Sequence, residues 1–417
     1  MELKPGYKQT EVGVIPEDWD CVSLGSFAQV STGGTPSRSN PLYWNGLIPW
    51  ITTAEIDYHQ INGTNEYITA DGLSSSSARL LPPGVLLMAM YGQGKTRGKV
   101  AITSIAAATN QACAGIGLEE HISSGFIFYW LANQYHKIRN LSNTGNQENL
   151  NLNLIRSILC PLPPSRNEQN NIFEMLVDID SSIAAIECLA EKKRQIKQAA
   201  MQELLTGKRR LPGFEGEWEV KRLGDSALLK ARIGWQGLTT AEYLSSGNYF
   251  LVTGTEFESG YIAWNNCHFV DEKRYKQDKY IQLRPRDILV TKDGTIGKVA
   301  LVTDLPGQAT LNSGIFVIRP LENAFNPEFF YYLLCSQVFS EFLGQLAAGS
   351  TINHLYQKDF VSFSYWTPPT IEEQAAIANI LNGIDSELIV LKTRLDKTRA
   401  IKQGMMQQLL TGKIRLT

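Results

Sequence analysis

Apolar residues recur in two long stretches of the chain with spacings that alternate between four and three residues. This spacing predicts helices that pair along a heptad seam rather than ordinary amphipathic helices. Pro-Pro precedes each stretch and Leu-Thr-Gly follows it, which predicts where each helix begins and ends. The predicted seam consists of Ile172, Leu176, Ile179, Ile183 and Ile186 in the first stretch and Ile377, Leu381, Ile384, Leu388, Leu391 and Leu395 in the second.

The two stretches are copies of one another. Residues 196–211 read IKQAAMQELLTGKRRL and residues 401–416 read IKQGMMQQLLTGKIRL, with 12 of 16 positions identical at an offset of 401 − 196 = 205 residues. The same offset relates Asp180 to Asp385 and Glu168-Gln169 to Glu373-Gln374. Such a repeat indicates two copies of one structural unit. Two matched seams predict that the helices pair with each other, and about forty residues at about 1.5 Å each give a length of roughly 60 Å.

The segments between the helices read as mixed α/β. Strand-like runs, rich in β-branched and aromatic residues and bounded by Gly, Pro and Asn, occur in both, and both contain Gly-Lys-Val-Ala. The sequence therefore predicts an α+β protein in which two pseudo-symmetric mixed α/β domains are joined by two long antiparallel coiled-coil helices. The predicted domains are residues 1–160 and 212–365, and the predicted helices lie within 161–211 and 366–417.

The two ends of the chain are predicted to meet. After the first helix the chain continues through LPGFEGEW, whereas after the second helix it stops, and the N-terminal VGVIPEDW is similar to the missing continuation. We therefore expect a circular arrangement that is opened at one joint.

Composition excludes several classes of protein. The net charge of −2, from 39 basic and 41 acidic residues, is low for a protein that binds nucleic acid unaided, so partner chains are expected to share the neutralisation of phosphates. We expect no membrane span and no leader peptide, and hence a cytoplasmic protein. Six cysteines and five histidines show no ligand spacing, so no metal site is expected.

No catalytic motif is present. The run AMYGQGKT is similar to a phosphate-binding loop, but Ala89 replaces its first glycine and a strand-like run follows where that loop needs a helix. The sequence has neither a zinc-protease HExxH nor a G-x-S-x-G elbow. We therefore expect no catalytic residue in this chain.

Polar, Gly-containing loops suit nucleic acid better, since Asn and Gln can pair with adenine, and Arg and Lys with guanine or phosphate. The segment STGGTPSR combines a flexible Gly-Gly with hydroxyls and an arginine, and the GKT loop is expected to carry its cations outward. The candidate DNA-binding residues are Thr35, Ser37, Arg38, Lys95, Arg97, Lys99, Asn110, Asn146 and Gln147 in the first domain and Arg232, Gln236, Lys292, Lys298, Thr351, Asn353 and His354 in the second.

The whole chain resembles the specificity (S) subunits of type I restriction-modification systems. The resemblance rests on the opening GYKQTEVGVIPEDWDCVSLGSFAQVSTGGTPSR, the helix starts PPSRNEQNNIFEMLVDID and PPTIEEQAAIANILNGID, and the LLTGK helix ends. It implies that each domain recognises one half of a bipartite target in double-stranded DNA and that the helices fix the gap.

The resemblance also implies partners. Two modification (methyltransferase) subunits would dock on the helices and use S-adenosylmethionine, and restriction (translocase and endonuclease) subunits would supply ATP- and Mg-dependent activity. The chain itself would bind no cofactor.

Three alternatives stay open from the residues alone. A coiled-coil scaffold or adaptor would bind protein without reading DNA, an autonomous enzyme would turn over ATP or bind S-adenosylmethionine, and the same subunit could guide a methylation-only system. The last differs from the type I system only in its neighbouring genes.

Overall fold

The structure is a computed structural model that describes residues 5–92, 94–141, 149–347 and 354–417. The chain divides into two compact units, the first formed by residues 1–187 with 393–417 and the second by residues 188–392. Each unit therefore contains one globular head and one segment of each long helix.

The head of the first unit contains twelve strands and four short helices among the residues described. The strands are β1 (Tyr7–Thr10), β2 (Gly13–Pro16), β3 (Asp20–Ser23), β4 (Ala28–Thr32), β5 (Trp44–Ile51), β6 (Gln60–Ile61), β7 (Tyr67–Ile68), β8 (Leu86–Ala89), β9 (Val100–Thr103), β10 (Ala108–Thr109), β11 (Cys113–Leu118) and β12 (Leu159–Leu162). The helices are α1 (Ala70–Ser74), α2 (Ser124–Asn133), α3 (Tyr135–Asn140) and α4 (Leu152–Arg156), and the first long helix, α5 (Arg166–Leu204), follows them.

The second unit repeats this order. Its strands are β13 (Glu219–Arg222), β14 (Ala227–Lys230), β15 (Tyr249–Val252), β16 (Phe257–Glu258), β17 (Tyr261–Ile262), β18 (His268–Val270), β19 (Ile288–Thr291), β20 (Val299–Leu301), β21 (Gln308–Leu311), β22 (Ile315–Pro320) and β23 (Ser364–Thr367). Its helices are α6 (Leu223–Ser226), α7 (Glu272–Lys276), α8 (Pro327–Leu334), α9 (Gln337–Leu346), α10 (Gln357–Phe360) and the second long helix, α11 (Ile371–Leu409).

The two heads share their sheet topology. The main sheet has the order β4-β11-β8-β9-β6 in the first unit and β14-β22-β19-β20 in the second. Each head also has a smaller three-stranded sheet, β10-β5-β7 or β18-β15-β21. Its central strand has one parallel neighbour, which is β10 beside β5 and β21 beside β15. The prediction of two similar mixed α/β domains is confirmed.

The main sheets are buried on both faces, which explains their continuous apolar runs. In β8, Leu86 and Met88 point into one hydrophobic core whereas Leu87 and Ala89 point into another, as the two-residue period of a strand requires. In β19, Ile288 and Leu289 divide between two cores in the same way.

The two long helices follow the predicted seam. Each runs for 39 residues, and every residue of the predicted seam is buried or half-buried along them. Within the first unit, Arg399 pairs with Glu187 and Lys402 pairs with Asp180, so later residues of α11 meet earlier residues of α5 and the two segments are antiparallel. Within the second unit, Lys193 pairs with Glu387 and Lys197 pairs with Asp385, which gives the same direction. The fold class predicted from the sequence is therefore confirmed.

Two charged pairs lie along the apolar seam, Lys402 with Asp180 and Lys197 with Asp385. Each aspartate also accepts a hydrogen bond from a head. In the first unit the Tyr129 hydroxyl of α2 donates to Asp180 at 2.7 Å, and in the second the Tyr332 hydroxyl of α8 donates to Asp385 at 2.9 Å. Burial, together with the neighbouring carboxylate, raises the pKa of both tyrosines, so both hydroxyls stay protonated and can donate. Each head is thereby fastened to the helix that follows it.

The start of each long helix is fastened by a glutamine one residue after a buried glutamate. Gln169 accepts from the backbone N–H of Ser123 and donates to the carbonyl of Pro163, and Gln374 does the same with Asn326 and Pro368. The preceding glutamates, Glu168 and Glu373, bind arginines that lie 205 residues apart, Arg415 and Arg210. In each unit the arginine belongs to the segment that follows the other long helix.

The chain ends meet inside the first unit, as the sequence predicts. The Tyr7 hydroxyl donates to the Gly412 carbonyl at 3.2 Å, and Arg415 forms two hydrogen bonds with Asp18 at 2.8 and 2.9 Å. In the second unit, Arg210 instead binds the backbone carbonyls of Glu215 and Gly216, in the segment that follows α5. The N-terminal segment thus occupies the place that a continuous linker occupies in the second unit.

Candidate nucleic-acid interface

The Gly-Gly segment after β4 is held tightly by the rest of the first head. A Cβ atom on Gly33 would lie 2.0 Å from the carbonyl oxygen of Thr109, and one on Gly34 would lie 2.4 Å from the backbone nitrogen of Ala78. The glycines are therefore needed for close backbone packing. The expectation of a flexible Gly-Gly is wrong, because both residues are buried between two neighbouring segments.

Two tryptophans of β5 fix the rest of this loop. The indole N–H of Trp50 donates to the Gly34 carbonyl at 2.9 Å, and that of Trp44 donates to the Ser37 carbonyl at 3.1 Å. Arg38 follows directly, and its guanidinium carbon lies 3.8 Å from the centre of the Trp44 ring. The loop therefore presents Arg38 from a backbone that is fixed on both sides.

The structure brings other candidates to the same loop. The Thr35 hydroxyl donates to the side chain of Gln111, next to Asn110, and the hydroxyls of Ser37 and Ser39 lie 2.8 Å apart. The Asn110 backbone N–H donates to the carbonyl of Ile51 at the end of β5. Its side chain accepts from Ala112, so it shapes the turn. Thr35, Ser37, Arg38 and Asn110 thus belong to one structured corner.

The GKT loop turns back into β9 instead of starting a helix. Residues 94–98 form turns and β9 begins at Val100, which agrees with the argument against a phosphate-binding loop. The loop is fastened to α3, since the Tyr135 hydroxyl donates to the Lys95 carbonyl at 2.6 Å and Arg139 donates to the Gly94 carbonyl at 2.8 Å. The Lys95 side chain is left exposed.

The cations of this loop do not all point outward. Lys95 is exposed, but Lys99 is paired with Asp57 at 2.6 Å, and Arg97 is only 3% exposed. The expectation that Arg97 lies at the surface is wrong, because the turn that leads into β9 carries its side chain into the head.

In the second unit, Arg232 is a structural residue. It is 1% exposed, and its guanidinium donates to the Leu311 carbonyl at 2.8 Å and to the Thr310 hydroxyl at 3.2 Å. Burial lowers the pKa of Arg232, and the neighbouring Arg274 adds to this effect. This candidate lies inside the head and not at its surface, because the segment after β14 is anchored to β21 by this side chain, where the first unit uses Gly33 and Gly34.

The remaining candidates of the second unit lie around the turn between β19 and β20. The backbone N–H of Lys292 donates to Gly314 and its carbonyl accepts from Leu355, while Lys298 is exposed at the far end of the turn. His354 pairs with Asp293 of that turn, and its ring centre lies 4.5 Å from that of Tyr356. Gln236 lies apart, half-buried in a short 3-10 helix at Gly234–Gln236.

Four candidates, Asn146, Gln147, Thr351 and Asn353, lie outside the residues that the structure describes. Contact of any candidate with DNA stays a prediction. Three residues that position or adjoin candidates were not predicted: Trp44, Glu66 and Tyr356. Nothing in the sequence links Glu66 to Arg38, which lies 28 residues before it. The proximity of Trp44 to Arg38 in the sequence was the one available signal.

Neither a metal site nor a membrane span is found within the described part of the chain. Its His, Cys, Asp and Glu side chains form no group of three that could hold an ion. Among the same residues, no helix is both long and apolar enough to cross a bilayer.

A comparison with known protein families identifies the family to which the chain belongs. The model of the type I restriction modification DNA specificity domain matches the chain twice, over residues 16–198 and 215–398. The chain belongs to this family. The two matches coincide with the two halves of the duplication, so each half contains one specificity domain.

Individual relatives agree with this assignment. The type I restriction enzyme MjaIX specificity subunit of Methanocaldococcus jannaschii is 24% identical over 98% of this chain and 96% of its own length. The putative MjaX specificity subunit of the same organism is 26% identical over 98% and 97%. The crystal structure of the type I restriction-modification S subunit from M. genitalium has the same fold, with a TM-score of 0.61 at 15% identity over 98% of this chain and 99% of its own.

The chain is therefore a specificity subunit of a type I restriction-modification system, with a DNA target-recognition domain in each half. Specificity subunits are not catalytic, which confirms the expectation that catalysis lies elsewhere. The alternative of an autonomous enzyme is excluded by the same finding.

Proposed function

We propose that this specificity subunit reads a bipartite sequence in double-stranded DNA, one half-site with each head, and that its two long helices set the number of base pairs between the half-sites. The observation that carries the proposal is that the contacts between heads and long helices repeat in both units, whereas the loops of the two heads differ. The Asp180 and Asp385 contacts, the Gln169 and Gln374 contacts and the sheet orders recur in both units. A two-fold repeated protein with unlike reading loops suits two unlike half-sites at a fixed spacing.

The loops that differ are the ones that hold the candidates. After the first strand of the main sheet, the first unit has a corner with an exposed Arg38, whereas the second has the buried Arg232. Hydrogen bonds to base edges depend on the position of single side chains, so such differences give different target bases.

Exposed apolar residues on the long helices support the docking of two modification subunits. Met175 and Ile380 are equivalent in the duplication, as are Ile196 and Ile401, and all four are between 40% and 47% exposed. In the first unit, Met175 and Ile401 line one groove of about 360 Å³. Each unit therefore offers the same pair of apolar side chains, which suits two identical partners.

The partners would supply the chemistry. Two modification subunits would bring S-adenosylmethionine and methylate the target, and restriction subunits would bring ATP- and Mg-dependent translocation and cleavage. No cofactor is proposed for the specificity subunit itself.

The direct test is a genome-wide map of modified bases. A clean host that expresses this chain with its modification subunit is expected to show a new bipartite motif, methylated on both strands, which is absent when the modification subunit is expressed alone. No new motif would contradict the proposal and favour a scaffold without DNA reading.

Docking can be tested with equivalent substitutions. Ile401→Asp and Ile196→Asp each place a charge on one apolar surface, and burying an unpaired charge at an interface is strongly unfavourable. Each variant is expected to retain one modification subunit in native mass spectrometry, and the double variant none, whereas the wild-type chain binds two. Leu244→Asp, at an exposed leucine of a head, serves as the control. Two bound subunits on both single variants would contradict the assignment.

A further inference from the structure

Arg38 is held in one orientation by its surroundings. Its guanidinium carbon lies 3.8 Å from the centre of the Trp44 ring and 4.9 Å from that of Trp50, and Nη1 donates to a carboxylate oxygen of Glu66. The Glu66 backbone is itself fixed, because its carbonyl accepts from the backbone N–H of Trp50 at 2.9 Å. The contacts with two indole rings and one carboxylate restrain the guanidinium, although the side chain is 56% exposed.

The backbone that carries Arg38 is equally constrained. Gly33 and Gly34 are packed against Thr109 and Ala78, and the carbonyls of Gly34 and Ser37 accept from the indoles of Trp50 and Trp44. Because the loop is already constrained, it loses little conformational entropy on binding. The position of Arg38 is therefore set before a ligand binds.

The charge of this site does not suit a phosphate. Glu66 neutralises Arg38, and a carboxylate beside a phosphate oxygen would repel it. Because phosphate contacts depend on net positive charge, a neutralised arginine gains little from one. Binding to a base edge does not require net positive charge, because it depends on hydrogen-bond donors that are aligned with the acceptors of the base.

The free donors of Arg38 match one base. Among the residues that the structure describes, Glu66 is the one hydrogen-bond acceptor for this guanidinium, through Nη1. Nε and Nη2 then retain two parallel N–H donors for a ligand. Guanine offers two acceptors, O6 and N7, at the matching separation in the major groove, and arginine is their commonest partner.

We propose that Arg38 reads a guanine in the half-site of the first unit and makes no phosphate contact, with Glu66 and Trp44 as positioning residues. This inference rests on the proposed function, since it requires that the first head reads DNA. It is confined to one half-site, because the arginine in the corresponding segment of the second unit, Arg232, is buried.

The test uses the full chain in complex with its modification subunit. Arg38→Ala removes the contact, Arg38→Lys keeps the charge but loses the planar pair of donors, and Glu66→Gln removes the neutralising carboxylate. Arg166→Ala is the control, because it removes the same charge from an exposed residue at the start of α5. Each complex is mapped for its methylated motif, assayed on duplexes with single base-pair changes, and titrated with DNA over a range of salt concentrations.

Arg38→Ala and Arg38→Lys are expected to lose the preference for G·C at one position of one half-site by roughly tenfold to hundredfold. The slope of log K against log salt should stay unchanged in Arg38→Lys, which keeps the charge of the pair with Glu66, and Arg166→Ala should keep the motif. Glu66→Gln is expected to relax the same position and, because it frees a positive charge for a phosphate, to steepen the slope by about 0.9.

Three results would overturn the inference. One is an unchanged motif in both Arg38 variants. Another is an affinity loss in Arg38→Ala that is even across all sequences while Arg38→Lys keeps the affinity and the motif of the wild type, the sign of a phosphate contact. The third is that the affected half-site contains only A·T pairs. If the wild-type complex produces no motif, the proposed function fails and this inference falls with it; if the wild type has a motif that ignores Arg38, only this inference fails.

Discussion

Replacement of Arg415 by methionine is expected to lower the free energy of unfolding of the first unit by about 3–5 kcal/mol, because it leaves a buried carboxylate without its partner. Glu168 is 1% exposed, and Arg415 reaches it with Nε at 2.5 Å and Nη2 at 2.9 Å. The second partner of Arg415, Asp18, is half-exposed and contributes much less. The hydrogen bonds to both carboxylates raise the pKa of Arg415 above its ordinary value, so it stays positively charged.

The duplication supplies a matched variant. Arg210→Met removes the equivalent partner of Glu373 in the second unit and is expected to destabilise that unit by a similar amount. Chemical denaturation of both variants and of the double variants with Glu168→Gln and Glu373→Gln gives the measurement. The glutamine is expected to recover part of each loss, since it removes the unpaired charge. A double variant as unstable as Arg415→Met alone would show that the unpaired charge is not the cause.

Arg415 and Arg210 each join the segment after one long helix to the start of the other long helix. Glu168 begins α5 and is bound by the segment after α11, whereas Glu373 begins α11 and is bound by the segment after α5. Each unit therefore needs the end of the other long helix, and the pairs Asp180–Lys402 and Asp385–Lys197 repeat this exchange along the seam. A head can change its loops without altering these contacts, because none of them lies in a reading loop.

The frame could be predicted from the sequence because its signals are long and repeated. A heptad seam of five apolar positions in one helix and six in the other, and an offset of 205 residues that holds from Pro-Pro to Leu-Thr-Gly, leave few alternatives. The strands of the main sheets were also predictable, since both faces are buried and the apolar runs are continuous. Asp180 and Asp385 were visible as a repeated pair, but their bonds to Tyr129 and Tyr332 were not.

The candidate site was less predictable, because a loop residue carries no periodicity. Arginine is usually a surface residue, yet tertiary packing buries both Arg97 and Arg232. Arg38 looked no different from them in the sequence, and its distinction comes from Glu66 and from two indoles whose positions depend on the small sheet around β5. Exposure of a single arginine is decided by long-range contacts, which local patterns do not encode.

The spacing of the half-sites should follow the length of the helices. We expect that inserting seven residues after Glu187 in α5 and seven after Lys392 in α11, where the chain passes between the units, changes the target without changing either half-site. Seven residues preserve the heptad register of both seams. They add about 10 Å at about 1.5 Å per residue, and at about 3.4 Å per base pair this corresponds to roughly three more base pairs between the half-sites.

The modified-base map is the measurement, with an insertion in only one helix as the control. The single insertion lengthens one helix only, so the two helices cannot keep their residue pairs in both units, and it is expected to destabilise the protein. The paired insertion should fold and methylate a widened motif. Three base pairs also rotate one half-site by about 100° at about 10.5 base pairs per turn, whereas a heptad rotates the helix pair by only about 20°. The DNA must absorb the difference by twisting, so the widened target should be methylated more slowly than the wild-type target is by the wild-type complex. An unchanged spacer in a folded, active paired insertion would mean that the helices hold the heads together without setting the distance between the sequences they read.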